Sequence, residues 1–313
     1  MKEYGFGADL GGTTIKMGLF KTDGTLLDKW EIPTDTSDQG TNILRDIAAT
    51  VHSKMVEKGL TKDMVEGIGI GVPGAVDGHG VVNKAVNLGW GIVPVEQELE
   101  KLSGMKVKAG NDANVAALGE SWMGSGKGYN SLVMVTLGTG IGGGIIIDGK
   151  IVRGANGAGG EIGHIIVNDQ ELEACNCGHY GCIEQYASAT GIARMARRAL
   201  ATTAGDSKMK TFGDGINAKN VFDCAREGDK LACEVVEEVC NLLGGTLAKI
   251  GCVVNPDVFV LGGGVSKAGQ ILLDYLQGPF RAQVFHACSE TPIVLASLGN
   301  DAGIYGAVRM LLD

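Results

Sequence analysis

Strand-like and helix-like segments alternate along the whole of this 313-residue chain, which predicts an α/β protein. Two similar hairpin segments, Tyr4 to Phe20 (YGFGADLGGTTIKMGLF) and Leu132 to Ile147 (LVMVTLGTGIGGGIII), predict an internally duplicated architecture of two lobes facing a cleft. A third segment, Asp257 to Gly269 (DVFVLGGGVSKAG), couples an apolar strand to a Gly-rich turn and runs on into a helix. Each alone would read as an ordinary turn; together they read as one design used repeatedly. Residues 1–116 are expected to form a small α/β lobe, with a C-terminal helix over 301–313 folding back on it. Residues 117–300 are expected to form a large α/β lobe.

The individual elements follow in order. Ile43, Leu44, Ile47, Val51 and Met55 recur at helical spacing over Gly40 to Lys58, and Gly67 to Val72 returns as a strand that ends at Pro73-Gly74. A strand-like stretch, Lys106 to Ala109, precedes Asn111-Asp112, and a helix follows from near Ala113 through Ser121. Further helices are expected around Gly191 to Leu200, Asp229 to Ile250 and Gly303 to Leu312.

Composition narrows the function. A 44% hydrophobic content with only 6 Pro supports well-formed cores. Apolar runs such as Gly144 to Ile147 and Val258 to Leu261 fall far short of the roughly 20 residues that span a bilayer, and Met1-Lys2-Glu3-Tyr4 does not open like a signal peptide. The expectation is therefore a cytoplasmic protein with no membrane partner. A formal net charge of −9 argues against a nucleic-acid partner, whose phosphates call for Lys and Arg, so any anionic ligand must be held by local features. The 51 Gly cluster beside apolar segments, implying tight turns where backbone approaches a ligand or another strand. The 8 Cys of an unsignalled chain are expected to stay reduced.

Several motifs carry chemistry. In Asp9-Leu10-Gly11-Gly12-Thr13-Thr14, small residues let backbone N–H groups turn inward around phosphate oxygens. Asp9, at a strand end, is placed to hold the Mg²⁺ that accompanies ATP through water; a plain hairpin with an Asx turn reads the same residues equally well. Gly138-Thr139-Gly140 in the second hairpin offers further amides and a hydroxyl, which favours the phosphate reading. Asn111-Asp112 projects from a strand end, where α/β folds place ligands, although either residue is also a good helix cap. Glu161-Ile162-Gly163-His164 is followed by Cys175-Asn176-Cys177-Gly178-His179-Tyr180-Gly181-Cys182-Ile183-Glu184. Three thiols and an upstream imidazole form a Cys₃His set suited to tetrahedral Zn²⁺; a redox role lacks the CxxC it needs, and His179 is read as a turn residue. Gly262-Gly263-Gly264 reads as a tight strand-to-helix turn. Cys224, Cys233, Cys240, Cys252 and Cys288 show no ligand spacing and are read as small apolar residues.

Leu137 through Gly140-Ile141-Gly142-Gly143-Gly144-Ile145, then Gly154, Gly160 and Gly163-His164, resembles the signature of the ROK family of sugar kinases, and the resemblance runs from Asp9 to Ala307. It implies the actin-like ATPase (ribonuclease H-like) fold and a kinase of the ATP-dependent glucokinase type, making glucose 6-phosphate from D-glucose and ATP. Alternatives within the resemblance are N-acetylmannosamine or another hexose as substrate, and polyphosphate as donor. A sugar-sensing regulator that does not phosphorylate is a different class. Regulators in this family carry a DNA-binding helix-turn-helix, which is not expected in a chain that reaches its phosphate turn by Asp9.

By the same resemblance Asp112 is the catalytic base, and Asn111, Glu161, His164, Glu184 and the backbone at Gly74 meet the sugar. Asp9, Gly11, Gly12, Thr13, Thr14, Gly138, Thr139, Gly140, Gly262, Gly263 and Gly264 serve the nucleotide and its Mg²⁺. His164, Cys175, Cys177 and Cys182 hold a structural Zn²⁺. The Asn87-Leu88-Gly89-Trp90 segment resembles the loop at the pocket edge, with Trp90 left outside the site as a packed surface aromatic. A homodimer or homotetramer is implied.

Overall fold

The computed structural model describes residues 2–312. Its first five-stranded sheet is built from β1 (Tyr4–Leu10), β2 (Thr14–Lys21), β3 (Leu26–Pro33), then, beyond helix α1 (Ile43–Lys58), β4 (Val65–Val72). A small ribbon of β5 (Val81–Val82) and β6 (Val93–Pro94) and helix α2 (Val95–Ser103) lead to β7 (Val107–Asn111), which passes directly into α3 (Asp112–Met123). The strand order is β3-β2-β1-β4-β7. β1 pairs antiparallel with β2 and parallel with β4, and β4 pairs parallel with β7.

A second sheet repeats the plan with β8 (Leu132–Leu137), β9 (Ile141–Ile147), β10 (Lys150–Ile151), β11 (Val258–Gly262) and β12 (Ile293–Leu295) in the order β10-β9-β8-β11-β12. In both sheets three successive strands lie side by side, followed by two that arrive through helical crossovers. The duplication read from the hairpins is therefore a duplication of sheet order. The helices of the second half are α4 (Glu184–Ala187), α5 (Ala189–Thr202), α6 (Ala218–Arg226), α7 (Lys230–Val254), α8 (Gly263–Ser266), α9 (Gln270–Gln283) and α10 (Ala302–Arg309).

The chain divides into two compact units, one of Met1–Leu132, Gly144–Gly160 and Ser297–Asp313, the other of Val133–Gly143 and Glu161–Ala296. The expected boundary near Ala116 falls inside α3, and the whole of that helix stays with the first unit because it packs on α10. Among the described residues no helix is long and apolar enough to cross a membrane.

The first unit shows why its strands are rich in Gly. Phe6, Ala8, Ile68, Ile70, Val107 and Ala109 point into one apolar cluster with Ile43, Ile47 and Val51 of α1. The alternate residues of β1 and β4 face α10, which lies so close that a Cβ at Gly69 would stand 1.7 Å from the Ala307 carbonyl oxygen and one at Gly7 2.2 Å from that of Ile304. These glycines admit a helix, not a ligand or a strand, so the sequence reading of such Gly clusters holds only in part. Trp90 differs too: it is buried, and its indole N–H donates to the Gly40 carbonyl at 3.2 Å. Cys224, Cys240 and Cys288 are buried as expected of small apolar residues, whereas Cys252 is exposed.

Candidate active site and metal centre

In the first unit the turn between β1 and β2 is closed by the Gly11 N–H on the Thr14 carbonyl at 3.0 Å, and the Thr34 hydroxyl donates to the Gly11 carbonyl at 2.7 Å. Gly12, Thr13 and Thr14 are left exposed at its tip. Asp9, half-buried between the buried Ala8 and Leu10 near the end of β1, has its carboxyl against Gly303. Burial pushes its pKa up, and Lys16, its register partner on β2, offsets part of that.

Asn111 and Asp112 occupy the junction where β7 becomes α3. Asn111 is the cap: its Oδ1 accepts from the Asn114 N–H at 3.1 Å, while its Nδ2 donates to the Gly74 carbonyl at 3.1 Å and to Asp112 Oδ1 at 3.0 Å. Asp112 Oδ1 also accepts from the Ala113 N–H at 2.8 Å. The capping and ligand readings of this pair thus coexist, since capping spends Asn111 Oδ1 and leaves the pair rigid at the end of a strand. The structure brings Gly74, Asn111 and Asp112 together. Gly74 has φ +93, a backbone state that favours Gly, and a Cβ there would stand 2.4 Å from the Lys84 carbonyl oxygen.

In the second unit Glu184 opens α4 and links two features. Its Oε2 accepts from the Ile141 N–H at 3.3 Å, beside the Gly138-Thr139-Gly140 turn, and its Oε1 accepts from the Cys175 thiol at 3.0 Å. That turn is held by the Gly138 N–H on the Gly140 carbonyl at 2.9 Å, by the Ala189 N–H on the Gly138 carbonyl at 2.8 Å and by the Thr190 hydroxyl on the Thr139 carbonyl at 2.6 Å. Gly263, with φ +81, crosses the Leu137 backbone. Beside Gly264 and Val265 lies a cavity of about 440 Å³ that Ala189, Asn217 and Phe222 also line.

His164, Cys175, Cys177 and Cys182 converge so that their ligand atoms all lie within 4.8 Å of one another. The Cys177 and Cys182 sulfurs are 3.6 Å apart, and Cys175 Sγ is 3.8 Å from His164 Nδ1. A tetrahedral zinc with S and N ligands at about 2.3 and 2.0 Å sets such neighbours roughly 3.5–3.8 Å apart, so the donor set fits the ion. Burial pushes the Cys175 and Cys182 thiols up; at Cys177 burial is outweighed by the His179 N–H and the neighbouring thiols, which lower it. A dication would bring all three to thiolate. His164 Nε2 faces Glu161 Oε2 at 3.9 Å, while Nδ1 faces the sulfurs and Glu184 Oε1, also at 3.9 Å. His179 lies 3.6 Å from Cys177 at the exposed turn and is outside this set.

The ROK family profile matches residues 5–313. The chain belongs to the ROK family. A glucokinase of Halalkalibacterium halodurans is 42% identical over 305 residues, 96% of this chain and 92% of that protein. A glucokinase of Thermotoga maritima is 37% identical over 316 residues, 98% of this chain and 96% of that protein. Among solved structures, the ROK family glucokinase of Streptomyces griseus in complex with glucose and AMPPNP matches with a TM-score of 0.78 at 35% identity, covering 98% of each chain. The repeated sheets of this ROK protein are those of the actin-like ATPase fold.

Two kinds of residue around the site escaped the sequence reading. Asn114, 3% exposed, donates through Nδ2 to the Gly159 carbonyl at 3.2 Å and bonds Asn111 through its N–H; its place three residues after the cap was the available signal. Glu171, Gln185, Arg194 and Arg198 form a polar brace behind the cysteines. Their spacing carried no signal, because their partners come from separate elements.

Proposed function

We propose that this ROK protein transfers the γ-phosphoryl group of ATP to the 6-hydroxyl of D-glucose. The observation that carries the reading is near-full-length identity to glucokinases together with an Asp, Asp112, fixed at the strand end beside Asn111 and Gly74. In this reading Asp112 takes the proton from the sugar hydroxyl as it attacks, a role worth about 10²–10⁴ in rate. Asn111, Glu161, His164 and Glu184 orient the sugar through its other hydroxyls, with the Gly74 backbone as a further contact. The Gly11 to Thr14 and Gly138 to Gly140 turns present N–H groups to phosphate oxygens, and Gly262 to Gly264 with the neighbouring cavity take the adenosine. Asp9 would hold Mg²⁺ through water.

His164, Cys175, Cys177 and Cys182 would hold a structural Zn²⁺. Bound there, the ion would supply a cross-link and positive charge that fix the knuckle. His164 then keeps one ring nitrogen for a sugar hydroxyl, and Glu184, already bonded to the second phosphate turn, presents its carboxylate from a fixed helix start. We also read the protein as a cytoplasmic homodimer or homotetramer, which sedimentation of the purified chain would check.

The deciding experiment is an ADP-release assay across glucose, mannose, fructose, N-acetylglucosamine and N-acetylmannosamine, with ATP and polyphosphate as donors and metal analysis of the same preparation. Glucose with ATP should give the highest kcat/KM. A higher value for an N-acetylhexosamine would overturn the substrate assignment, and no turnover with any sugar would leave a sensing protein.

A further inference from the structure

Between His164 and Cys175 the chain makes no regular element, and Leu172 toward its end is 90% exposed. What anchors the segment is a carboxylate. Glu171, its side chain 2% exposed, accepts from Arg194 at 2.9 Å, from both terminal nitrogens of Arg198 at 3.0 and 2.9 Å, and from the Tyr186 hydroxyl at 2.7 Å. It also accepts from the N–H groups of Leu172 and Glu173 at 3.0 and 3.1 Å. Arg194 stacks over the Tyr186 ring at 5.2 Å. A buried charge with this many donors is expensive to assemble and is fixed in one geometry once assembled.

The brace reaches both arms of the knuckle. Glu173, bonded to the same two arginines at 3.1 and 2.8 Å, accepts through its carbonyl from Gln185 Nε2 at 2.9 Å. Gln185 Oε1 in turn accepts from the Cys182 N–H at 3.1 Å. Tyr186 accepts from Asn168 Nδ2 at 3.0 Å, and Asn168 packs its carbonyl against Gly181. Gln185 and Tyr186 directly follow Glu184 in α4, and both arginines sit on α5. One carboxylate therefore ties the approach to Cys175, the backbone of Cys182 and the helix that carries Glu184 to a single long helix.

We propose that Glu171, clamped by Arg194 and Arg198, is a positioning residue for the sugar site, presetting the backbone of Cys175, Cys182 and Glu184 so that metal and sugar meet ligands already in place. The inference rests on the functional reading above, and it assigns Glu171 no contact with substrate. Its physical basis is preorganisation: ligands that need no ordering on binding lose less entropy and release their partner more slowly.

Glu171→Gln keeps an acceptor for Tyr186 and removes the charge from the clamp. On the zinc-loaded protein, transfer of metal to a chromogenic chelator should speed up by about tenfold, and KM for glucose should rise by about tenfold. KM for ATP and kcat should stay within about twofold, and Glu171→Asp should recover most of the zinc retention. Arg198→Lys, which keeps the charge and loses the forked bond, should reproduce the direction of both effects and serves as the test if Glu171→Gln does not fold. Zinc release and glucose KM at wild-type values in these variants would overturn the inference alone. So would ATP KM and kcat worsening as much as glucose KM, because that pattern marks general damage. A wild type that carries no zinc or does not phosphorylate glucose would instead overturn the functional reading and this inference with it.

Discussion

The Gly11 to Thr14 turn after β1 and the cysteine knuckle before α4 are both Gly-containing loops that present polar groups, yet they are held by different means. The turn hangs from an unbroken antiparallel register, Tyr4↔Lys21 through Leu10↔Ile15, whose inward residues Ala8, Leu10, Ile15 and Met17 are fully buried. The knuckle has no strand ladder: isolated bridges, Ile166↔Cys182 and Ala174↔Tyr180, and a few turn hydrogen bonds such as Cys175 N–H on the His179 carbonyl at 2.7 Å are supplemented by thiols, an imidazole and the Glu171 brace. A loop hung from a buried ladder is as stable as the core beneath it, whereas a loop held by titratable and metal-binding side chains answers to pH and metal. If the turn serves the nucleotide and the knuckle the sugar, as proposed, the contrast teaches that the two recognitions should be separable.

The largest effect should come from the β7 to α3 junction of the first unit. Asp112→Asn leaves the β7 to α3 junction and its cap in place, so the fold and glucose KM should be nearly unchanged while kcat falls by at least about 10². Large loss of glucose affinity with near-normal turnover at saturation would make Asp112 a binding residue and blur the contrast.

Cys177→Ser attacks the knuckle. Zinc content should drop and glucose KM should rise about ten- to a hundredfold, with far-ultraviolet circular dichroism and ATP-analogue binding close to wild type. Equal loss of glucose and ATP binding would break the contrast, since it would tie the two loops to one cooperative unit. Gly69→Ala makes the reverse test. Its new Cβ would collide with the Ala307 backbone, an overpacking cost typically about 1–3 kcal/mol, visible as a lower urea midpoint, while zinc retention and both KM values of the folded fraction stay put.

The smallest effect is in pH. The Arg198 guanidinium, with Tyr186 and the Glu173 N–H, holds the Glu171 carboxyl well below the usual carboxylate range against the opposing pull of burial. A folded-state pKa below the unfolded one means the stabilisation is full above the ordinary Glu value near about 4.3 and is lost as pH falls below it. The stability difference between wild type and Glu171→Gln, read by urea unfolding, should be constant from neutral pH down to about 5 and shrink on further acidification. A difference that grew with acid would contradict the clamp.

The sequence was most legible where the signal is local. The hairpins, the helix of α1 and the strand of β4 rest on side-chain periodicity, and the structure places them as read, with ends differing by a few residues. Asn111 as a cap and the Cys175 to Cys182 spacing were legible for the same reason, because a cap and a cluster of closely spaced thiols are made of neighbours. Trp90, the Gly5, Gly7 and Gly69 faces and Glu171 were not. Each is defined by a partner far along the chain: Gly40, α10, and the arginines of α5.

By itself, then, the amino-acid order determined the α/β class, the repeated hairpins with their Gly-rich turns and the Cys/His cluster that could hold a metal, because those follow from chain geometry over short stretches. Only the tertiary structure decided that α10 lies on the glycine faces of β1 and β4, that Glu184 bridges Ile141 beside the Gly138 to Gly140 turn and Cys175, and that Glu171 is buried between two arginines. Those outcomes depend on which surfaces are desolvated together, and desolvation is a property of the packed chain rather than of any segment of it.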